Sequence, residues 1–165
     1  MGMGLFLSRV LTKTSPGAVR FVLHLGAMLQ ILKPRILVID DDPSIGVLMT
    51  RVFEDTGRYS IDVETDAMRA VAKARGYRPD LLLVDITMPG RSGLEIAAIL
   101  RQEPELRDRP IVFYTGIVTQ NQRGALVEGE APIEFLSKGL PTTEVVATVD
   151  RLLGGRKAAP EGAGS

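Results

Sequence analysis

The sequence predicts an α/β fold: a doubly wound, five-stranded parallel sheet with helices on both faces. Two observations predict it. Short aliphatic runs such as Arg35–Ile39 and Asp80–Val84 alternate with stretches that repeat apolar residues at helical spacing. The connections are short, and strand and helix alternate five times between Arg35 and Leu153, the pattern of strands lying parallel beneath covering helices.

The first strand, Arg35–Ile39 (RILVI), has the partly β-branched character of a buried parallel strand. Asp42-Pro43-Ser44 reads as a helix start, because Pro suits the first helical turn. Ile45, Leu48, Met49, Val52 and Phe53 then recur at helical spacing, and Gly57 closes the helix. Tyr59–Glu64 alternates as a strand, and Asp66 is expected to cap a helix running through Arg75. Asp80–Val84 (DLLLV) is the next aliphatic run, followed by a helix over Ser92–Arg101 with Leu94, Ile96, Ala97 and Leu100 as its apolar positions. Arg109-Pro110 introduces the strand Ile111–Tyr114. The helix expected around Thr119–Val127 is weak, since Gly124 lies inside it and strong apolar positions are few, which predicts a short or mobile segment. Ile133–Leu136 is the last strand and Thr142–Leu153 the last helix.

Composition narrows the chemistry. There is no Cys, so disulfides, thiolate metal sites and Cys nucleophiles are excluded. Trp is absent and aromatics are 5%, which disfavours a stacking surface for single-stranded nucleic acid. Net charge is zero but uneven. Before Pro34 stand Arg9, Lys13, Arg20 and Lys33 with no acid; removing those four from 20 basic residues leaves 16 against 20 acids, a body of about −4. A mildly acidic body gives no support for DNA binding. Residues 1–33 read as an N-terminal extension of uncertain order outside the fold, with a signal or transit peptide or a membrane-surface helix as alternatives; Ala18–Leu32 is too short and too interrupted, by Arg20 and His24, for a membrane span. His24 has no kinase-type helical motif around it. Residues 34–154 form the expected domain, and the Gly/Ala/Pro-rich segment 155–165 is expected to be a disordered tail.

Ligands of open parallel sheets bind at the carboxyl ends of the strands. Here those ends carry Asp40-Asp41-Asp42, Asp85, Thr115-Gly116 and Ser137-Lys138, each directly after an apolar run. Singly, each has an ordinary explanation: a helix cap, a turn, a β-branched strand residue, a solvated lysine. Their coincidence at four strand ends does not. Adjacent carboxylates repel unless a cation joins them, and oxygen-only ligation suits Mg²⁺. A zinc site of the usual kind is excluded, because the sole His lies outside the domain. A hydroxyl and an ammonium facing the same point make a site able to stabilise a phosphoryl group, with Asp85 as nucleophile and carrier of an acyl phosphate.

These residues resemble the bacterial response-regulator receiver domain, over about Arg35 to Leu153. "RILVIDDDPSI" is similar to the family's first strand and acidic pair, and "DLLLVDITMPGRSGLEI" to the segment around its phosphorylated aspartate. "PIVFYTG" and "EFLSKG" resemble the strands bearing its Thr and Lys. The resemblance implies a flavodoxin-like strand order 2-1-3-4-5. It implies Asp85 as phosphoacceptor and metal ligand, Asp41 as direct Mg²⁺ ligand with Asp40 acting through water, and a Thr87 backbone carbonyl on the metal. Thr115 would hydrogen-bond the phosphoryl group, Lys138 would pair with the carboxylate or phosphate, and Phe135 takes the place of a switching aromatic. Two positions depart from the family pattern. Gly139 stands where Pro is usual, so the family's cis peptide is not implied there, and Phe135 lacks the hydroxyl of the more common Tyr.

The reading that follows is a stand-alone, cytoplasmic receiver that is not itself an enzyme. A histidine kinase or phosphotransfer protein would phosphorylate it, and it would signal through a downstream protein, without nucleic acid or membrane. Two other readings compete. One is a Mg²⁺-dependent phosphohydrolase with an aspartyl nucleophile, for which Asp42, two residues after Asp40, would be the acid/base group. The other is an interaction module that keeps the fold without the chemistry.

Overall fold

A computed structural model of the chain describes residues 33–116 and 132–154. The chain divides at Lys33–Pro34 into two compact units, and the elements below belong to the second. The expected helix at 119–127, the extension before residue 33 and the tail after 154 lie outside the described residues.

Five strands form one parallel sheet in the order β2-β1-β3-β4-β5, the order the resemblance implies: β1 (Arg35–Ile39), β2 (Ser60–Glu64), β3 (Leu81–Val84), β4 (Ile111–Thr115) and β5 (Ile133–Ser137). The four described helices are α1 (Pro43–Thr56), α2 (Ala70–Tyr77), α3 (Gly93–Leu100) and α4 (Thr142–Gly154). The central strands are buried throughout, which is why their sequences are continuous rather than alternating. Successive side chains on them point to opposite faces, so one apolar run feeds two cores. Leu37, Ile39, Leu82, Val84, Ile111 and Phe113 pack against Val71 and Ala74 of α2 and Ile96 and Leu100 of α3. Ile36, Val38, Leu81, Leu83, Val112 and Tyr114 pack against Met49 and Phe53 of α1 and Val145 and Val149 of α4.

The helix boundaries follow local chemistry. Asp42 caps α1 by accepting from the Ser44 amide at 2.9 Å, with Pro43 in the first turn, and Gly57 in the left-handed region (φ +68) ends it. Asp66 does not cap α2. Its carboxylate instead accepts from the Met68 amide at 2.8 Å and its carbonyl from Arg69 at 3.0 Å, closing a turn, so the helix begins only at Ala70. The side-chain hydrogen bond that makes Asp a good cap makes it an equally good turn former. Ser92 and Glu95 form a reciprocal capping box that fixes the start of α3.

Tyr59 ties the α1–β2 connection to α4. Its buried ring meets Phe53 edge-on at 5.6 Å, and its hydroxyl donates to Asp150, which also pairs with Arg58 at 2.8 Å. Burial, then the bond to Asp150, pushes the phenol from its ordinary 10.0 up to about 12. The native state therefore holds this proton more tightly than the unfolded chain does. The resulting stability is fully present below pH 10 and is lost as pH rises toward about 12. Tyr59→Phe is expected to cost about 1 kcal/mol at neutral pH. The deficit should shrink across that alkaline window, as read by urea unfolding of both proteins in parallel.

Candidate functional site

The carboxyl ends of β1, β3, β4 and β5 bring the sequence-derived residues together. Asp40 follows β1 and is 1% exposed, Asp85 follows β3 and is 6% exposed, and Thr115 ends β4 at 1%. Asp41, next to Asp40, is exposed. Carboxylate oxygens of Asp40, Asp41 and Asp85 all lie within 4.8 Å of one another. Lys138, immediately after β5, reaches across the strand ends: its ammonium lies 2.7 Å from Asp40 Oδ2 and 2.8 Å from Asp85 Oδ2.

The remaining oxygens are held by main chain. Asp40 Oδ1 accepts from the Asp42 amide at 3.0 Å, and Asp85 Oδ1 accepts from the Thr87 amide at 3.2 Å. The Lys138 amide donates to the Thr115 carbonyl at 2.9 Å, extending the β4–β5 ladder one residue past the strand and placing the lysine beside the threonine. Thr87 itself is exposed. No peptide bond among the described residues is cis, so Gly139 follows Lys138 through a trans bond. Phe135 is half-buried and stacks on Phe113, with ring centroids 5.1 Å apart and planes at 29°.

The electrostatics are those of an acidic cluster with too little positive charge. Burial pushes the Asp40 carboxyl above the usual range, even though the Lys138 bond and the Asp42 amide pull it down; the charge of Asp85 adds to the rise. Burial is also the largest influence on Lys138 and pulls it down, but the hydrogen bonds and charges of Asp40 and Asp85 together outweigh it and raise it. The two shifts point in different senses about the pair. Lys138 gains from the carboxylates, whereas Asp40 is not fully offset by one ammonium. Three carboxylates against one ammonium leave a local charge of −2 when all are ionised. An oxygen-only donor set with two buried members, one exposed member and that deficit fits a hard divalent cation such as Mg²⁺.

Asp42 is placed differently. Its Oδ1 accepts from both the Ser44 amide and the Ser44 hydroxyl, at 2.9 and 2.6 Å, and these bonds hold its carboxyl below the usual range. A general acid needs the opposite shift.

Sequence reasoning missed three features. Gly93 lies under the site: a Cβ there would stand 2.1 Å from the Asp85 carbonyl oxygen, so α3 packs its first turn directly on the main chain of residue 85. The later Gly of the "MPGRSG" run was the available signal. Glu64 is buried at the end of β2, accepting from the Asp66 amide at 3.0 Å, and nothing in an alternating strand announces it. Tyr114 places its hydroxyl 3.5 Å from the Lys138 carbonyl, and its place in an aliphatic run makes it read as core alone.

Comparison with known proteins identifies the family. The family model of the response regulator receiver domain matches residues 36–150. The chain is 32% identical, over 78% of its length and 55% of the relative's, to the phosphate regulon transcriptional regulatory protein PhoB of Rhizobium meliloti. It is 26% identical to the polar-differentiation response regulator DivK of Brucella anthropi, over 73% of this chain and 98% of that one. The chain spans about half or less of the first curated relatives it matches. Among solved structures, the chemotaxis protein CheY4 of Vibrio cholerae superposes with a TM-score of 0.67 at 24% identity, over 73% of this chain and 98% of that chain, a likeness of fold.

Proposed function

This chain belongs to the response regulator receiver family, and from that premise we propose that Asp85 accepts a phosphoryl group in a Mg²⁺-dependent reaction. The observation that carries the reading is the Lys138 ammonium spanning Asp40 and Asp85, at 2.7 and 2.8 Å, beside the exposed Asp41. The donor is a phosphohistidine of a histidine kinase or phosphotransfer protein. An Asp85 carboxylate oxygen attacks phosphorus, the new O–P bond replaces the P–N bond, and the imidazole leaves. Asp41, Asp85 and the Thr87 carbonyl would hold the metal, with Asp40 acting through water; when bound, Mg²⁺ would neutralise charge on the phosphoryl oxygens. Lys138 keeps two buried carboxylates together before the reaction and supplies a cation to the phosphoryl group after it. Thr115 offers a hydroxyl at the neighbouring strand end.

The readout passes to a protein partner. In this chain it rests on repacking of Phe135 against Phe113, because Phe135 has no hydroxyl to exchange. Among the described residues no helix is long and apolar enough to cross a membrane. The commitment of Asp42 to the α1 cap speaks against the phosphohydrolase reading.

Incubation with acetyl phosphate and Mg²⁺, followed by intact mass measurement, tests the proposal. One phosphoryl group is expected on the wild type and none on Asp85→Asn or after chelation with EDTA. Label retained by Asp85→Asn would overturn the site assignment. Rapid multiple turnover of a generic phosphate ester, lost in Asp40→Asn, would favour the hydrolase instead.

A further inference from the structure

We infer that Tyr114 is a positioning residue for Lys138, its hydroxyl holding the Lys138 carbonyl from inside the core so that the ammonium stays on Asp40 and Asp85. The inference rests on the function proposed above and concerns a residue that function does not use. Tyr114 is 2% exposed on β4, and its ring lies in the core layer that α1 and α4 cover. Its hydroxyl donates to the Lys138 carbonyl at 3.5 Å. The other side of that residue is also held from β4, since the Lys138 amide donates to the Thr115 carbonyl at 2.9 Å. Two successive β4 residues therefore grip the N–H and the C=O of one lysine. Their grip fixes where its side chain starts.

The chain beyond Lys138 supplies little constraint of its own. Gly139 is exposed and has no side chain, and glycine tolerates a wide range of backbone angles. Its amide rests on the Ser137 hydroxyl at 3.2 Å, and the Leu140 amide on the Ser137 carbonyl at 3.0 Å, both local contacts within the turn. Among the described residues, the Tyr114 hydroxyl reaches the main chain of this turn from a side chain inside the core. Phenylalanine would fill the same space without bringing a polar group into the core, where a hydroxyl costs stability unless it is bonded. Burial, more than the opposing charges of Lys138 and Asp40, raises the phenol, so it remains a donor at neutral pH. The bond is long, which sets the expected effect at several-fold rather than orders of magnitude.

Tyr114→Phe is expected to slow labelling by acetyl phosphate and Mg²⁺ roughly three- to tenfold, with the ring packing intact. In a Lys138→Ala background the same substitution should change residual labelling by less than about twofold, because the group it positions is gone. Equal losses in both backgrounds would overturn the proposal and reduce Tyr114 to a core residue. Amide hydrogen exchange provides a readout that needs no phosphorylation. Faster exchange confined to Lys138, Gly139 and Leu140 in Tyr114→Phe supports the tether. Unchanged exchange, or a change spread equally over Val145 and Val149, overturns it. If the wild type takes no phosphoryl group, the site reading fails while the exchange data still decide the tether.

Discussion

Gly93→Ala is expected to cost about 3 kcal/mol or more of folding stability, among the largest losses available from a single methyl group in this molecule. The added Cβ would stand 2.1 Å from the Asp85 carbonyl oxygen and 2.9 Å from its carbon. Both obstacles are main chain, so no side-chain rotation can relieve them. Either α3 slides away from β3 and opens the core around Ile96 and Leu100, or residue 85 moves and breaks its amide bond to the Ile39 carbonyl, 2.8 Å long. The capping box at Ser92 and Glu95 resists the first route, because it fixes the helix start on either side of the glycine. Urea unfolding of wild type and variant measures the cost. The second route adds a functional signature: labelling of the folded fraction by acetyl phosphate should fall as well. Gly93→Ala at wild-type stability would refute the close packing of α3 on residue 85.

Lys138→Met is expected to show the second large effect, and one that a divalent cation reverses. The side chain keeps its length and loses its charge, leaving Asp40 and Asp85, side chains 2% and 8% exposed, without their shared cation. Stripping one partner from a buried ion pair typically costs 3–5 kcal/mol. Lys138 is 21% exposed, so solvent screens part of this and about 2–3 kcal/mol is expected here in EDTA. Mg²⁺ should restore stability to the variant by more than it stabilises the wild type, because it meets a larger uncompensated negative charge. Thermal unfolding with EDTA and with saturating Mg²⁺ measures both differences. Labelling should fall to a small residual rate in either condition, since Mg²⁺ replaces the charge and not the donor that meets the phosphoryl group. A variant as stable as wild type in EDTA would mean that the Lys138 contacts contribute nothing to the resting site.

Much of this was legible in the sequence, for identifiable reasons. In a sheet covered on both sides, strands read as unbroken apolar runs, so the first polar residue after each run marks a strand end, and strand ends are where such folds place their chemistry. Asp40, Asp85 and Thr115 were legible on that ground, and Lys138 one position further on, after Ser137. The chain order of strands and helices followed from the same runs. The start of α2 was not, because Asp66 offers its carboxylate to the next available amide, and the sequence does not say whether that amide begins a helix or closes a turn. Gly93 was visible as a motif letter without a reason, since close approach of two main chains involves partners eight residues apart in chain and unrelated in pattern. Tyr114 was hidden for a different cause. An aromatic in a buried strand fits the apolar pattern perfectly well, and its hydroxyl acquires meaning only when β5 brings the Lys138 carbonyl within reach.

The two faces of the sheet also differ in when they can be completed. Among the described residues, every fully buried member of the layer under α2 and α3 lies between Leu37 and Phe113. The opposite layer needs Val145, Val149 and Leu152, and the Tyr59 hydroxyl waits for Asp150. A chain emerging from the ribosome can therefore close one side of its sheet while the other still exposes Ile36, Val38, Met49 and Phe53 to water. Until the last helix arrives, the nascent protein carries an oily flank, and that flank, rather than the acidic pocket, is the surface a chaperone would meet.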